Sequence, residues 1–185
     1  MLNFTDALGL FAVAAACAGA VVATVRRRLD GRVTMVLFLA LCLGLFVPVP
    51  VPVAGLPLAA YVRGVIGDPS IGTLVLVGAL LGAPKTPGVT AGRRAASLLV
   101  ALAAALLLYP LALGAGFLDP YRWGFGQPWF VGSVLLLGLI AHVLRLPLLA
   151  PAIALAVLGW SLGCYESRNL WDYLLDPMLA TYAFF

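Results

Sequence analysis

Charged side chains are scarce in this chain: of its 185 residues only 10% are Asp, Glu, Lys or Arg, whereas 64% are hydrophobic. Soluble domains carry roughly 25% charged residues. A water-soluble fold of this length could not bury so much apolar surface, so lipid is the expected solvent. The composition therefore predicts an integral membrane protein, and ten Arg against one Lys suggest a bacterial source.

Residues that usually carry chemistry are also few. The three cysteines, Cys17, Cys42 and Cys164, have neither CxxC nor metal-ligand spacing, so we interpret them as small hydrophobic residues. His142 is the only histidine. The sequence has no DxDxDG-like loop, HExxH, Gly-rich phosphate loop or GxSxG. We expect no metal and no cofactor, and an enzyme is the less favoured class.

Long apolar segments take up most of the chain, and a membrane-spanning helix needs about 20 such residues. The sequence predicts six transmembrane helices at about residues 8–25, 33–47, 70–83, 95–117, 128–143 and 146–163. The first is expected to be a retained helix, because no base precedes it as in a signal peptide. Alternating Pro48, Pro50 and Pro52 predict a Pro-broken hairpin instead of a span, followed by a short helix within 55–67 that is interfacial or re-entrant.

Charge supports this arrangement, because bases concentrate in the cytoplasmic loops of membrane proteins. With six spans, one side has eight bases against Asp30 alone, and the other has three bases against six acids. We therefore expect a multi-pass protein of the bacterial inner membrane with both termini outside. The bases lie in short loops between apolar segments, so the net charge of +4 does not indicate nucleic-acid binding.

The external segments contain three Asp-Pro pairs, at Asp68, Asp119 and Asp176. Asp is a good N-cap and Pro suits the first helical position, so these pairs predict helix starts. The alternative is that the segments meet in one external polar site. Arg63 lies in an apolar stretch, where an ionisable residue needs a partner or a task, and Asp68 is a plausible ion-pair partner. The candidate binding residues are Arg63, Asp68, Asp119, Tyr121, Arg122, Glu166, Arg168, Asn169, Trp171, Asp172 and Asp176.

Aromatic residues surround the same segments. Tyr121, Trp123, Phe125, Trp129 and Phe130 predict an interfacial belt, or alternatively a stacking platform for a sugar. The tail, residues 165–185, is expected to form an interfacial helix that serves as a docking surface.

Three function classes remain open. The favoured one is a non-catalytic accessory or scaffold subunit that binds lipid and another membrane protein or a second copy of itself. The others are a small oligomeric transporter, and an envelope enzyme acting on a lipid-linked or phosphorylated substrate.

Overall fold

The computed structural model describes residues 3–49, 55–82 and 90–185. Over these ranges the chain is all-α, with nine α-helices and two short 3-10 turns, Arg26–Arg28 and Pro120–Gly124. The helices are α1 Phe4–Val25, α2 Gly31–Gly44, α3 Leu58–Ile66, α4 Ile71–Leu81, α5 Ala91–Ala112, α6 Pro128–Val143, α7 Leu149–Leu162, α8 Leu170–Leu174 and α9 Pro177–Phe184.

Helix lengths differ from the expected six full spans. Two of the described helical segments are long and apolar enough to cross a membrane, Phe4–Arg28 and Ala91–Ala112, whereas α2, α4, α6 and α7 are apolar but have 10–17 residues. The helix found at the fourth predicted span, 95–117, ends earlier than expected, at Ala112, because Gly114 adopts a left-handed φ of 91°. Long apolar helices also occur in soluble cores or leader segments, so helix length alone does not establish a membrane protein.

Most helices start at a polar cap that satisfies a free N–H group of the first turn. The carboxylates of Asp30 and Asp176 cap α2 and α9, and that of Asp119 starts the Pro120–Gly124 turn. The cap expected at Asp68 was assigned to the wrong residue. The hydroxyl of Ser70 accepts from the Thr73 N–H and caps α4, which leaves the Asp68 carboxylate free to pair elsewhere.

The six longer helices run between two ends of the molecule in alternating directions. At one end, α1 and α4 begin, and the end of α2 approaches the start of α1, with the rings of Phe11 and Phe46 4.9 Å apart. At the opposite end, α1 and α4 finish together, where Arg26 Nη1 donates to the Leu80 carbonyl at 2.7 Å. We call the first the polar end, because it contains Asp6, Arg63 and residues 165–176. The second, which contains residues 26–32, is called the Arg26 end.

The short helix expected within residues 55–67 is confirmed as α3, which stays at the polar end. The Ala59 N–H donates to the Leu45 carbonyl at 2.9 Å, and Pro48 and Pro57 form an isolated β-bridge. The end of α2 is thereby held beside the start of α3. The rest of the expected Pro-broken hairpin, residues 50–54, lies outside the described residues.

The tail is not a single interfacial helix. It forms two short helices, α8 and α9, and α8 is buried against α7. Tyr173 is 0% exposed and Trp171 is 9% exposed, with its ring 4.9 Å from that of Phe130. The surface position predicted for these two aromatic residues was therefore wrong, because their rings complete the core where α4, α6 and α7 meet.

Candidate functional site

Arg63 joins three parts of the polar end through its guanidinium. Its Nε and Nη2 donate to the two Asp68 oxygens at 2.6 and 3.0 Å, and its Nη1 donates to Asp6 Oδ1 at 2.9 Å. Glu166 Oε1 lies 3.6 Å from Nη2. The hydrogen bond to Asp68 is the largest of the effects that raise the pKa of Arg63. The predicted Arg63–Asp68 pair is therefore confirmed, and it fixes α3 against the start of α1.

A glycine makes room for this ion pair. A Cβ atom on Gly9 of α1 would lie 2.6 Å from Arg63 Nε and would also overlap the Asp68 carboxylate. Real Cβ atoms do not approach other atoms so closely. The absence of a side chain at Gly9 therefore lets the guanidinium and its partner carboxylate lie directly on α1.

Asp176 holds α4 and α9 together. Its carboxylate is 5% exposed and accepts hydrogen bonds from the Ser70 N–H at 2.6 Å, the Thr73 hydroxyl at 2.7 Å and the Leu179 N–H at 2.7 Å. All three donors are neutral. A buried carboxylate is tolerated when such donors surround it, so Asp176 is both the N-cap of α9 and the anchor of the tail on α4.

Asp172 is the centre of a second hydrogen-bond network. Its Oδ2 accepts from the Ser167 hydroxyl at 2.5 Å and from the Tyr121 hydroxyl at 2.9 Å. Burial, followed by the charge of Asp172, raises the pKa of Tyr121 to about 12. Tyr121 therefore remains a protonated donor at physiological pH, and it links the Pro120–Gly124 turn to the tail.

Two buried side chains of the tail, Asn169 and Trp171, hold the Pro120–Gly124 turn through its carbonyl groups. Asn169 is fully buried, and its Nδ2 donates to the Tyr121 carbonyl at 2.9 Å, while Trp171 Nε1 donates to the Pro120 carbonyl at 2.9 Å. A side chain on Gly124 would overlap Asn169. The turn is thus held in one position by the buried tail.

A cavity of about 530 Å³ lies between these networks and brings four of the predicted site residues together: Asp68, Tyr121, Asp172 and Asp176. Tyr109 from α5, together with Tyr165 and Ser167 from the tail, completes its polar lining. Tyr165 is 6% exposed, and its hydroxyl has no hydrogen-bond partner among the described residues. Burial raises its pKa, and the charges of Asp68 and Asp176 add to the effect, so the phenol is neutral.

Three predicted site residues belong neither to the cavity lining nor to the networks around Arg63, Asp172 and Asp176. Asp119, Arg122 and Arg168 are exposed. The Asp119 carboxylate accepts from the Tyr121 N–H, and the Arg168 carbonyl accepts from Trp160 Nε1. Arg122 projects from the turn that Asn169 and Trp171 support. The arginines therefore belong to the outer surface of the polar end, and Asp119 acts as a cap.

Sequence reasoning missed Asp6, Ser167 and Tyr165 as site residues. Asp6 is 57 residues from Arg63, and only its position on the acidic side of the charge pattern linked the two. Ser167 lies five residues before Asp172, a spacing that allows a local contact. Tyr165 gives no signal in the sequence, because a tyrosine after an apolar helix is an ordinary interfacial residue.

The described residues contain no group of three or more His, Cys, Asp or Glu arranged to hold a metal ion. The hydroxyl of Ser167 donates to Asp172, and no imidazole lies beside it. The single histidine, His142, is in the last turn of α6, away from the polar end where α6 begins. Within the part of the chain that the structure describes, Ser167 therefore does not form the Ser–His pair of a serine hydrolase. No protein-family model, curated protein or solved structure matches the chain.

Proposed function

We propose that this chain is a membrane-embedded, non-catalytic accessory subunit whose rigid polar end docks another membrane protein. The observation that carries the proposal is how the ionisable side chains of the polar end are used. Asp6, Asp68, Asp172 and Asp176 are engaged in hydrogen bonds that hold helices and tail together. Their arrangement favours a structural scaffold over a reactive site.

The outer surface of the bundle supports embedding in lipid. Large apolar side chains are exposed along α2, α5, α6 and α7, for example Leu43 at 71%, Leu106 at 64% and Val143 at 70%. A soluble monomer rarely exposes apolar patches larger than a few hundred Å². In a bilayer these same side chains would contact acyl chains at no cost.

The distribution of charge supports six membrane crossings by α1, α2, α4, α5, α6 and α7. These helices alternate in direction, and the bases of residues 26–32, 93–94 and 145 fall at the Arg26 end with one acid. Six acids fall at the polar end. Under the positive-inside rule, the Arg26 end faces the cytoplasm and both termini lie outside a bacterial inner membrane. The short helices would then require local thinning of the bilayer.

The proposed docking surface consists of Arg122 on the Pro120–Gly124 turn and Phe125 directly after it, and both side chains are exposed. Arg and aromatic residues dominate binding hot spots, and a preorganised surface loses little entropy on binding. Since Tyr121 and Pro120 are held by the buried tail, this surface is already ordered before a partner arrives. We propose a second membrane protein as the partner and ordinary lipids around the remaining surface.

Quantitative mass spectrometry of the tagged full-length protein, purified in mild detergent from its native membranes, tests the proposal. We expect a stoichiometric membrane-protein partner that is lost in Arg122→Ala and Phe125→Ala. Arg28→Ala removes an exposed arginine at the opposite end and should retain the partner.

Recovery of the protein alone, or only as a homo-oligomer, would count against an accessory subunit. A partner that is retained by Arg122→Ala and Phe125→Ala but lost in Arg28→Ala would place docking at the Arg26 end and contradict the proposed surface. Trp171→Ala is unsuitable here, because it would remove a buried core residue as well as any surface contact.

A further inference from the structure

We propose that the cavity at the polar end binds an ammonium group, carried by an amphiphile whose apolar chain lies in the adjacent groove between α1, α4 and α9. This inference goes beyond the proposed docking function, because it assigns a ligand to a different surface. It can fail while docking on Arg122 and Phe125 holds, and the reverse is also true.

The first argument is charge. At the polar end Arg63 forms ion pairs with Asp6, Asp68 and Glu166, and so neutralises Asp68. Asp172 and Asp176 line the same cavity, and their hydrogen-bond donors among the described residues are all neutral. A buried carboxylate, Asp176, and a half-buried one, Asp172, beside one cavity favour a cation between them.

The second argument is the unpartnered hydroxyl of Tyr165. Buried hydroxyl groups nearly always have a hydrogen-bond partner, and leaving one unpaired has a cost. Tyr165 lines the cavity that Asp68 and Asp176 also line, yet its hydroxyl has no partner among the described residues. A bound N–H donor would satisfy it.

The third argument is the chemistry of the lining. Tyr109, Tyr121 and Tyr165 supply three aromatic rings around the carboxylates. Organic ammonium groups are attracted both to aromatic faces and to carboxylates. The described residues lack a metal-binding cluster, so an organic cation fits this lining better than a divalent metal ion.

The fourth argument indicates an amphiphile. A second cavity, of about 820 Å³, lies between α1, α4 and α9 and shares Ile66, Asp68, Asp176 and Pro177 with the first. Away from these residues it is lined mainly by small and apolar side chains of α1 and α4, such as Ala16, Gly19 and Leu76. A headgroup among the carboxylates would therefore lead directly into an apolar groove that could hold its chain.

The test uses the detergent-purified full-length chain and two short-chain lipids of equal chain length, dioctanoyl phosphatidylethanolamine and dioctanoyl phosphatidylglycerol. Bound lipid is counted by native mass spectrometry, and the dissociation constant is taken from the shift in thermal midpoint. We expect the ethanolamine lipid to bind and the glycerol lipid to bind at least about tenfold more weakly, since only the first has an ammonium group.

Variants make the test specific. Tyr165→Phe should weaken binding of the ethanolamine lipid about threefold to tenfold without destabilising the empty protein, because the hydroxyl it removes has no partner there. Asp172→Asn should weaken binding about tenfold or more. Tyr61→Phe is the matched control: it removes a buried hydroxyl that also has no partner among the described residues, lies outside the cavity lining, and should leave binding unchanged.

Free ethanolamine distinguishes the sources of the ammonium group. If free ethanolamine saturates the protein at the same concentrations as the lipid, the cavity binds an ammonium group but the ligand is a soluble amine, and the proposed role of the apolar groove is overturned. Equal binding of both lipids would overturn the proposal. So would wild-type affinity in both Tyr165→Phe and Asp172→Asn, or no binding of either ethanolamine compound.

Discussion

The two ends of this molecule use polar residues in opposite ways. At the polar end, three hydrogen-bond networks, centred on Arg63, Asp176 and Asp172, join α1, α3, α4, the Pro120–Gly124 turn and the tail. At the Arg26 end, the bases outnumber the acids, and Arg26 donates to one backbone carbonyl. Acids that receive several donors build internal structure, whereas the exposed Arg27 and Arg28 are accessible to solvent or headgroups.

Two capping aspartates give the largest expected difference between the ends. Asp176→Ala should lower the free energy of unfolding by about 3–5 kcal/mol, because it leaves three buried donors without an acceptor. Asp30→Ala removes an exposed cap of α2 and should cost about 0.5–1 kcal/mol. Chemical unfolding in detergent measures both. Equal losses in the free energy of unfolding would show that Asp176 contributes no more to stability than the exposed cap Asp30.

Two glycines of α4 sharpen the comparison along one helix. A Cβ on Gly72, near the polar end, would lie 2.7 Å from the Leu174 carbonyl oxygen, whereas Gly78 has open space around it. We expect Gly72→Ala to destabilise the protein by about 1–3 kcal/mol and Gly78→Ala to be neutral or stabilising by up to about 1 kcal/mol. The midpoint of thermal unfolding reports both. A harmless Gly72→Ala would mean that the tail does not pack on α4 as described.

Two arginines provide a smaller contrast. Arg63→Met removes the cation between Asp6 and Asp68 and should cost about 1–2 kcal/mol after allowance for the partial exposure of the site. Arg26→Met removes one hydrogen bond to Leu80 and should cost about 1 kcal/mol or less. The same unfolding measurement applies. A larger loss from Arg26→Met would reverse the assignment of the ends.

The smallest expected effect is a pH dependence from Tyr121. The folded-state pKa is about 12, above the ordinary value of about 10, so the folded state binds more protons at high pH. The contribution is complete below pH 10, and stability should fall as pH rises from about 10 towards 12. Tyr121→Phe should remove this part of the alkaline loss. Identical alkaline profiles for the two proteins would contradict a raised pKa of Tyr121 in the folded state, which burial and then the charge of Asp172 produce.

Hydropathy and charge predicted the local features of the fold. Apolar segments located α1, α2, α4, α5, α6 and α7, because these segments are longer than the about 4–8 residues of a typical buried strand. The Asp-Pro pairs located the starts of the Pro120–Gly124 turn and α9. Arg63 and Asp68 are five residues apart, so their ion pair could also be predicted from sequence.

Long-range features could not be predicted from a single sequence. The bond from Asp176 to Thr73 joins residues 103 positions apart, and no local pattern encodes it. The burial of Trp171 and Tyr173 was missed because aromatic residues beside apolar helices are equally typical of a membrane interface. The close approaches at Gly9, Gly72 and Gly124 likewise involve residues far away along the chain.

The sidedness of the two ends is the most direct test of the account. Single cysteines at Arg168→Cys and Arg28→Cys, in a background lacking Cys17, Cys42 and Cys164, would be labelled in spheroplasts with a membrane-impermeant maleimide. Both positions are exposed in the structure. We predict labelling of position 168 in intact spheroplasts and of position 28 only after permeabilisation. Labelling of position 28 alone, or recovery of the protein in the soluble fraction, would contradict the proposed membrane arrangement.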